Sequence, residues 1–395
     1  MSRPVRSGRS TTSRPTLGFA TTSRSYTTSC EMSAQRRSRS SLASCGGPGE
    51  KARPERLPSS PDRLVQPGEL GSLAVQTERF RDRSLTYAGV QGELLTIPSA
   101  NPINHHQAIN DPTGCEPIDI DAQLFVPPEV DHPLTVIVVP GSLGVGPNHE
   151  QHTETLVAAG FAACLLDPFG ARSVESTVAK QTHYSFAASA FDVLATLQVL
   201  CERNDLDPAR IAGQGHSRGG SAVTIAANRR FADPIVGAGI GLAAVYAVYP
   251  WCGQQFVDAD LGSTVYRAII GEKDEWCSVQ EVQAQVNALR QRGSDATIRI
   301  VPDAHHSFDR LEEPHTIAEA SVAPGAPTVM LDDDGAMILP TAGAPDPTIT
   351  DRDAFVAAIS GGHGRLGAAI GGVGQQPALF TADMLAFHRS WSARI

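Results

Sequence analysis

Residues 210–221 read Arg210-Ile-Ala-Gly213-Gln-Gly215-His-Ser217-Arg218-Gly219-Gly220-Ser221. A short apolar, strand-like start runs into a Gly-x-Ser-x-Gly turn, and a helical pattern follows through Asn228. In that strand-to-helix context the motif has a steric reason. The serine occupies a strained turn, and the small residues on either side let the backbone pass close to its neighbours. The hydroxyl then projects from the carboxyl edge of a sheet. The helix that begins there points backbone N–H groups and the positive end of its dipole at developing negative charge. Ser217 is therefore a candidate nucleophile. The plain alternative is a packed glycine turn with a buried serine.

A serine hydroxyl needs a base, and the base needs an orienting carboxylate. On a strand-turn-helix scaffold of this kind the acid and then the histidine follow at later strand ends. Two downstream segments fit. Ala268-Ile-Ile-Gly-Glu272-Lys-Asp274-Glu275-Trp276 places acids after a strand, with Asp274 ahead of Glu272 and Glu275. Ile300-Val-Pro-Asp-Ala-His305-His306-Ser-Phe308 places histidines after another, with His306 ahead of His305, which reads equally as an exposed loop residue. An oxyanion would need two donors. The backbone amide of Arg218 is one candidate. The other lies in Val139-Pro140-Gly141-Ser142-Leu143-Gly144, with Ser142 preferred and Leu143 as fallback, unless that loop is a simple glycine turn. His149-Glu150-Gln151-His152 lacks the gap of a zinc-binding helix motif and reads as a solvated helix start.

Around these motifs strands and helices alternate. Leu134 to Pro140, Phe161 to Leu166, Leu242 to Tyr249, Val265 to Ile270 and Thr297 to Val301 are strand-like. The runs rich in β-branched residues look buried on both faces. Phe186, Ala190, Leu194 and Leu197 fall at helical spacing. Ser278 to Arg292 is the clearest helix, with Val279, Val282, Val286 and Leu289 on one face, a Ser278/Glu281 capping box and Gly293 at its stop. Ala382 to Arg394 reads as a closing helix, and Leu85 to Phe125 as an antiparallel edge. Such alternation predicts an α/β fold, a mostly parallel central sheet flanked by helices on both faces. Residues 310–376, rich in Gly, Pro, Ala and Asp, break the rhythm. They are expected as surface loops inserted in a domain spanning 61–395 and covering part of the site.

The chain has 395 residues and a net charge of -10. Residues 1–60 carry 11 basic and 3 acidic side chains, which leaves 21 against 39, or -18, for the body. A body so acidic is a poor partner for phosphates, so no nucleic acid is expected. No apolar run is long enough to span a bilayer, so integral membrane association is not expected, and the cytoplasm is the expected location. With 21 Ser or Thr and little apolar periodicity, residues 1–60 are expected to be disordered. Their Arg- and Ser-rich character also suits a transit peptide, and translation from Met32 is a further reading. Leu42-Ala-Ser-Cys45 looks like a lipid-attachment signal but lacks the apolar stretch before it. Residues 54–68, rich in proline, read as a linker. The seven cysteines (30, 45, 115, 164, 201, 252 and 277) are odd in number and widely spaced. That argues against a disulfide framework and a zinc site, and Cys164 and Cys201 read as small buried hydrophobes.

Assembled, these residues make the chain resemble the α/β-hydrolase superfamily, and within it the dienelactone hydrolase-like group, over roughly residues 115–310 and the last helix. Besides the serine turn, the likeness is carried by Leu166-Asp167-Pro-Phe-Gly-Ala-Arg172, Asp207-Pro-Ala-Arg210, Tyr249-Pro-Trp251-Cys252-Gly253, Gly271-Glu-Lys-Asp274-Glu-Trp276 and Ala304-His-His306-Ser-Phe308. The resemblance implies an α/β-hydrolase fold and a small-molecule ester or lactone substrate. It implies hydrolysis through an acyl-serine, with no cofactor and no metal, and it selects Asp274 and His306. Two departures stand out. Dienelactone hydrolases proper carry cysteine where this chain has Ser217, and Pro140 stands where many relatives have His. A serine peptidase of the prolyl-oligopeptidase type, a non-catalytic binding module and an acyltransferase are the competing readings. Tyr249, Trp251, Trp276 and Phe308 lie near strand ends, where pocket lining and core packing are equally open.

Overall fold

The computed structural model describes residues 85–392. The Ser/Thr-rich segment, the linker, Cys30, Cys45 and Arg394 lie outside the described residues.

Eight strands form the central sheet. They are β1 (Glu93–Asn101), β2 (Glu116–Phe125), β3 (Thr135–Val139), β4 (Ala162–Asp167), β5 (Ile211–His216), β6 (Ala244–Val248), β8 (Val265–Gly271) and β9 (Ala296–Val301), where β7 is the short Gln254–Phe256 outside this sheet. Their order is β9-β8-β6-β5-β3-β4-β2-β1. Every pairing is parallel except those of β2, which runs against both β4 and β1. The antiparallel edge thus sits at residues 93–125, inside the stretch the sequence marked for it.

Helices are α1 (His105–Asn110), α2 (Pro147–Ala158), α3 (Phe186–Cys201), α4 (Arg218–Ala227), α5 (Arg229–Val236), α6 (Val279–Gln291), α7 (Asp351–Ser360) and α8 (Gln376–Ser392). The central strand β5 shows why its sequence is apolar or small at every position. Successive residues face opposite helical layers. A Cβ on Gly213 would strike Val223 of α4, whereas the next side chain, Gln214, bonds His388 of α8. All six residues of β5 and all five of β3 are buried. Burial on both faces is what turns these strands into runs with no polar alternation.

The closing helix starts at Gln376, six residues before the expected Ala382, because the apolar face already begins with Leu379 and Phe380. The 310–376 stretch also differs from the expectation of loops alone. It contains β10 (His315–Val322), β11 (Val329–Leu331), β12 (Met337–Ile338), α7 and β13 (Arg365–Ile370). β10 pairs antiparallel with β13, and β11 pairs with β12 and, in parallel, with β7. Short apolar runs suffice here because each strand covers only one side of a small layer. The layer is tied to the main body at several points: Gly371 N donates to His306 O at 3.0 Å, Ser321 N to Val178 O at 3.0 Å and Val329 N to Gly253 O at 2.8 Å.

Candidate active site

β5 ends at His216, and Ser217 follows with φ 54° and ψ -113°, a left-handed conformation rare for a residue with a side chain. Its amide donates to Val248 O at 2.8 Å, which fixes the turn against β6. The glycines are sterically required. A Cβ on Gly215 would lie 1.9 Å from Gly219 O, and one on Gly219 would lie 2.4 Å from Val139 O. The backbone of α4 therefore passes against β3 and β5 with no room for a side chain.

Two loops meet this turn. After β8, Asp274 accepts the amides of Trp276 and Cys277 on Oδ1, at 2.8 and 2.9 Å. Its Oδ2 faces His306 Nδ1 at 2.7 Å. After β9, His306 brings Nε2 to 2.9 Å from Ser217 Oγ. The imidazole is 3% exposed, stacked on Trp276 (5.4 Å between centroids, 19°) and packed against Tyr249 (4.5 Å). Three side chains separated by 57 and 32 positions thus converge on one strand-end edge. Glu272, Glu275 and His305 stand elsewhere. Glu272 accepts from the Asp303 amide, and Glu275 from the Ala369 amide.

Ser142 and Leu143 lie in the turn closed by Gly144 N donating to Gly141 O at 3.0 Å. A Cβ on Gly141 would come within 3.2 Å of the Ser217 Cβ, so this turn runs close beside the serine. Ser142 Oγ donates to Gln181 Oε1 at 3.0 Å, and Thr177 N donates to Ser142 O at 2.8 Å. The amide of Arg218 precedes the first intrahelical bond of α4, from Ser221 N to Ser217 O. The Arg218 side chain had no role in the sequence reading. It is buried, donates to Ser189 Oγ, Gln181 O and Tyr184 O at 3.0, 2.8 and 2.6 Å, and packs on the rings of Tyr184 and Phe186. The two loops flanking the serine are joined through Gln181.

Behind the turn lies a buried polar cluster. His149 and His152, expected as solvated, are both 2% exposed. The reason is a long-range partner: Asp309, three residues past His306, meets His152 Nε2 at 2.8 Å and accepts from Asn148 Nδ2 and the Tyr249 hydroxyl at 2.9 and 2.8 Å. His216 Nδ1 lies 3.1 Å from the Tyr249 hydroxyl, its Nε2 lies 3.2 Å from Gln214 Nε2, and Gln214 Oε1 faces His388 Nε2 at 3.0 Å. One assignment satisfies the chain: His388 donates to Gln214, Gln214 to His216, His216 to Tyr249 and Tyr249 to Asp309. Burial pushes His216 well below the ordinary histidine value and takes His149 and His388 to about 3, so all three are neutral. Burial opposes ionisation of Asp309, yet the His152 and Asn148 hydrogen bonds hold its carboxyl below the usual range.

Metal-capable donors cluster twice within 4.8 Å among the described residues, at His152, His216 and Asp309 and at Asp274, Cys277 and His306. In both clusters hydrogen bonds already engage donors with one another. Burial lifts the Cys277 thiol well above its ordinary value, so it stands beside Ser217 as a thiol, not a thiolate. Cys164 is buried as expected, whereas Cys201 is only half-buried at the end of α3. Arg172 forms a bidentate pair with Asp192 at 2.7 and 2.9 Å, holding the Asp167 segment to α3.

Ser217 opens into a cavity of about 190 Å³, walled by Phe186, Trp251, Trp276, Val322, Leu339 and Phe355 among others. The last three come from the 310–376 stretch, which therefore covers part of the site. Gly253 matters here, because a Cβ on it would lie 2.4 Å from the Trp251 ring. On the other side a space of about 20 Å³, room for roughly one water, is bounded by Ser142, His149, His306 and Arg310. Of the four aromatics left open by sequence, Trp251 and Trp276 line the cavity, Tyr249 is buried at the edge of the small space, and Phe308 is core.

The sheet order, the strained serine turn at the end of β5 and the histidine loop after β9 define a protein of the α/β-hydrolase fold. Residues 120–326, just over half of the chain, match the dienelactone hydrolase family model, and the chain belongs to the dienelactone hydrolase family. It is a hydrolase of that type. No curated protein compared with it matches. Among solved structures, it is similar to an esterase of Pyrobaculum calidifontis (15% identity, 62% of this chain and 85% of the other, TM-score 0.41). It is also similar to a dienelactone hydrolase of Anabaena variabilis (17% identity, 54% and 88%, TM-score 0.38). A third likeness is to an α/β hydrolase enzyme from a Medee basin deep-sea metagenome library (14% identity, 55% and 84%, TM-score 0.39). Among the described residues no helix is long and apolar enough to cross a membrane.

Proposed function

We propose that this hydrolase cleaves a carboxylic ester or lactone through an acyl-serine intermediate. Ser217 Oγ attacks the carbonyl carbon while His306 Nε2 takes its proton. Asp274 fixes the imidazole tautomer and stabilises the imidazolium. The amides of Arg218 and Ser142 receive the oxyanion. His306 passes its proton to the leaving alkoxide, then accepts one from water as that water attacks the acyl carbon, and the acid leaves as Ser217 regains its proton. The small space bounded by Ser142 and His306 has the size for that water. The observation that carries the reading is one imidazole bridging hydroxyl and carboxylate at 2.9 and 2.7 Å.

The test is paired. The chain should react with a fluorophosphonate probe and hydrolyse short acyl esters, and Ser217→Ala should abolish both, with turnover falling on the order of 10⁴-fold or more. A folded Ser217→Ala protein that still turns over esters removes the nucleophile assignment. A wild-type protein that neither reacts nor hydrolyses points to the binding-module reading instead.

A further inference from the structure

The walls of the cavity carry information about what enters it. The sequence predicts that Glu281 reaches back to close a capping box on α6. Instead, Ser278 caps alone, accepting from Glu281 N at 3.3 Å, while the Glu281 carboxylate turns to Thr328 Oγ1 at 3.2 Å and lines the cavity. Asp351, the first residue of α7 and 5% exposed, lines the same cavity. Its two oxygens accept from Gln254 Nε2 and Phe186 N, at 2.6 and 2.7 Å. Neither acid has an ion-pair partner among the described residues. The lining has two basic side chains. His363 is half-buried after α7, and Arg218 already spends its guanidinium on three protein acceptors and two aromatic faces. The rest of the wall is mostly apolar, aliphatic side chains with the four rings of Phe186, Trp251, Trp276 and Phe355, and has a few uncharged polar groups.

We propose that this cavity is a specificity subsite for an uncharged, compact apolar group of the substrate, a single ring or a branched group of similar size, and that it refuses a carboxylate-bearing one. The inference rests on the ester-cleaving reading only for which molecule the group belongs to. Volume sets the size. An apolar cavity of roughly 150 Å³ accommodates a benzene ring, so about 190 Å³ takes a ring with a few further atoms. A long straight chain would overfill it and leave its end outside the wall. Charge sets the sign. An anion moved into this wall would leave water to face two carboxyl groups against one guanidinium, that of Arg218, which is already held by three protein acceptors. Burial raises the Glu281 carboxyl to about 7, so it still carries charge in mildly alkaline solution. Gly253 sets the shape, since only a residue without a side chain leaves the Trp251 indole against the backbone as a flat wall.

The test uses two methyl esters at pH 8, methyl p-tolylacetate and the analogue with a carboxylate in place of the ring methyl. Their binding to the Ser217→Ala protein is read by the fluorescence of Trp251 and Trp276. The neutral ester should bind on the order of 100-fold more tightly. Glu281→Gln in that background should narrow the ratio several-fold, and a carboxylate that binds as tightly as the neutral ester overturns the subsite. Methyl palmitate binding better than the tolyl ester overturns the size argument. Wild-type turnover separates the two levels. Preferential binding without turnover leaves the subsite standing and removes the ester-cleaving reading. Equal turnover and equal binding of both esters does the reverse.

Discussion

His216 and Ser217 are neighbours in the chain and face two different environments. In front of Ser217 is an open cavity with an apolar wall, much of it supplied by the 310–376 stretch. Behind it, His216 enters a buried cluster in which Gln214, Tyr249, Asp309, His152 and His388 are joined by hydrogen bonds. The front is shaped by side chains that can vary without disturbing the sheet. The back joins β5, the ends of β6 and β9, α2 and α8. The difference shows how one turn serves two ends. The reactive hydroxyl needs space on one side, and the strained backbone that presents it needs over-determination on the other.

The largest expected effect is on the front. Asp274→Asn keeps the shape of the acid loop but can hold the wrong imidazole tautomer, and ester turnover should fall by ~10⁴-fold with binding little changed. A loss below tenfold would mean that Asp274 does not orient His306, and the case for a triad would shrink to a pair. A smaller effect is expected from the back. Asp309 touches no cavity, yet it anchors the loop three residues beyond His306 and bonds the tyrosine packed on that imidazole. Asp309→Asn should lower kcat by ~10- to 100-fold, the range that a small misplacement costs, with KM nearly constant and the acid limb of the pH–rate profile moved. Tyr249→Phe, a milder cut in the same chain, should move that limb in the same direction. If both variants lower the melting temperature but leave the profile in place, the cluster is only a structural clamp and the two sides are uncoupled.

The front was far easier to read from sequence than the back. Gly215, Ser217 and Gly219 announce their turn because steric exclusion leaves a local trace, and Asp274 and His306 each sit one short loop beyond a recognisable strand. The order of the sheet follows from alternating strands and helices for the same reason. Asp309, His152 and Tyr249 leave no such trace. Their pairing spans 157 and 60 positions, and a histidine pair near a helix start looks solvated until its carboxylate is placed. Glu281 misled for a related reason: the capping signal was present, but a threonine 47 positions away held the better donor. The 310–376 layer was hard to read because its strands cover one side only and are two to eight residues long.

The subtlest test of the closed side is its response to acid. His388 is neutral in the folded chain, with burial taking it from the ordinary 6.5 to about 3. Its contribution changes only where the unfolded chain takes up a proton that the folded chain refuses. Above pH 6.5 both forms are neutral and the group adds no pH dependence. Below 6.5 the unfolded state binds more protons, so stability falls as the pH drops, by about 1.4 kcal/mol per pH unit for each such histidine, until the folded form protonates near 3. His105, taken to about 4, and His149 act in the same direction. Urea midpoints at pH 7, 6, 5 and 4.5 should therefore fall progressively. In His388→Gln, which keeps a group able to donate to Gln214 and removes one titration, the slope below pH 6 should flatten by about one proton. A variant with an unchanged slope would mean that water reaches this histidine, and the cluster behind the serine would then be open where its geometry shows it closed.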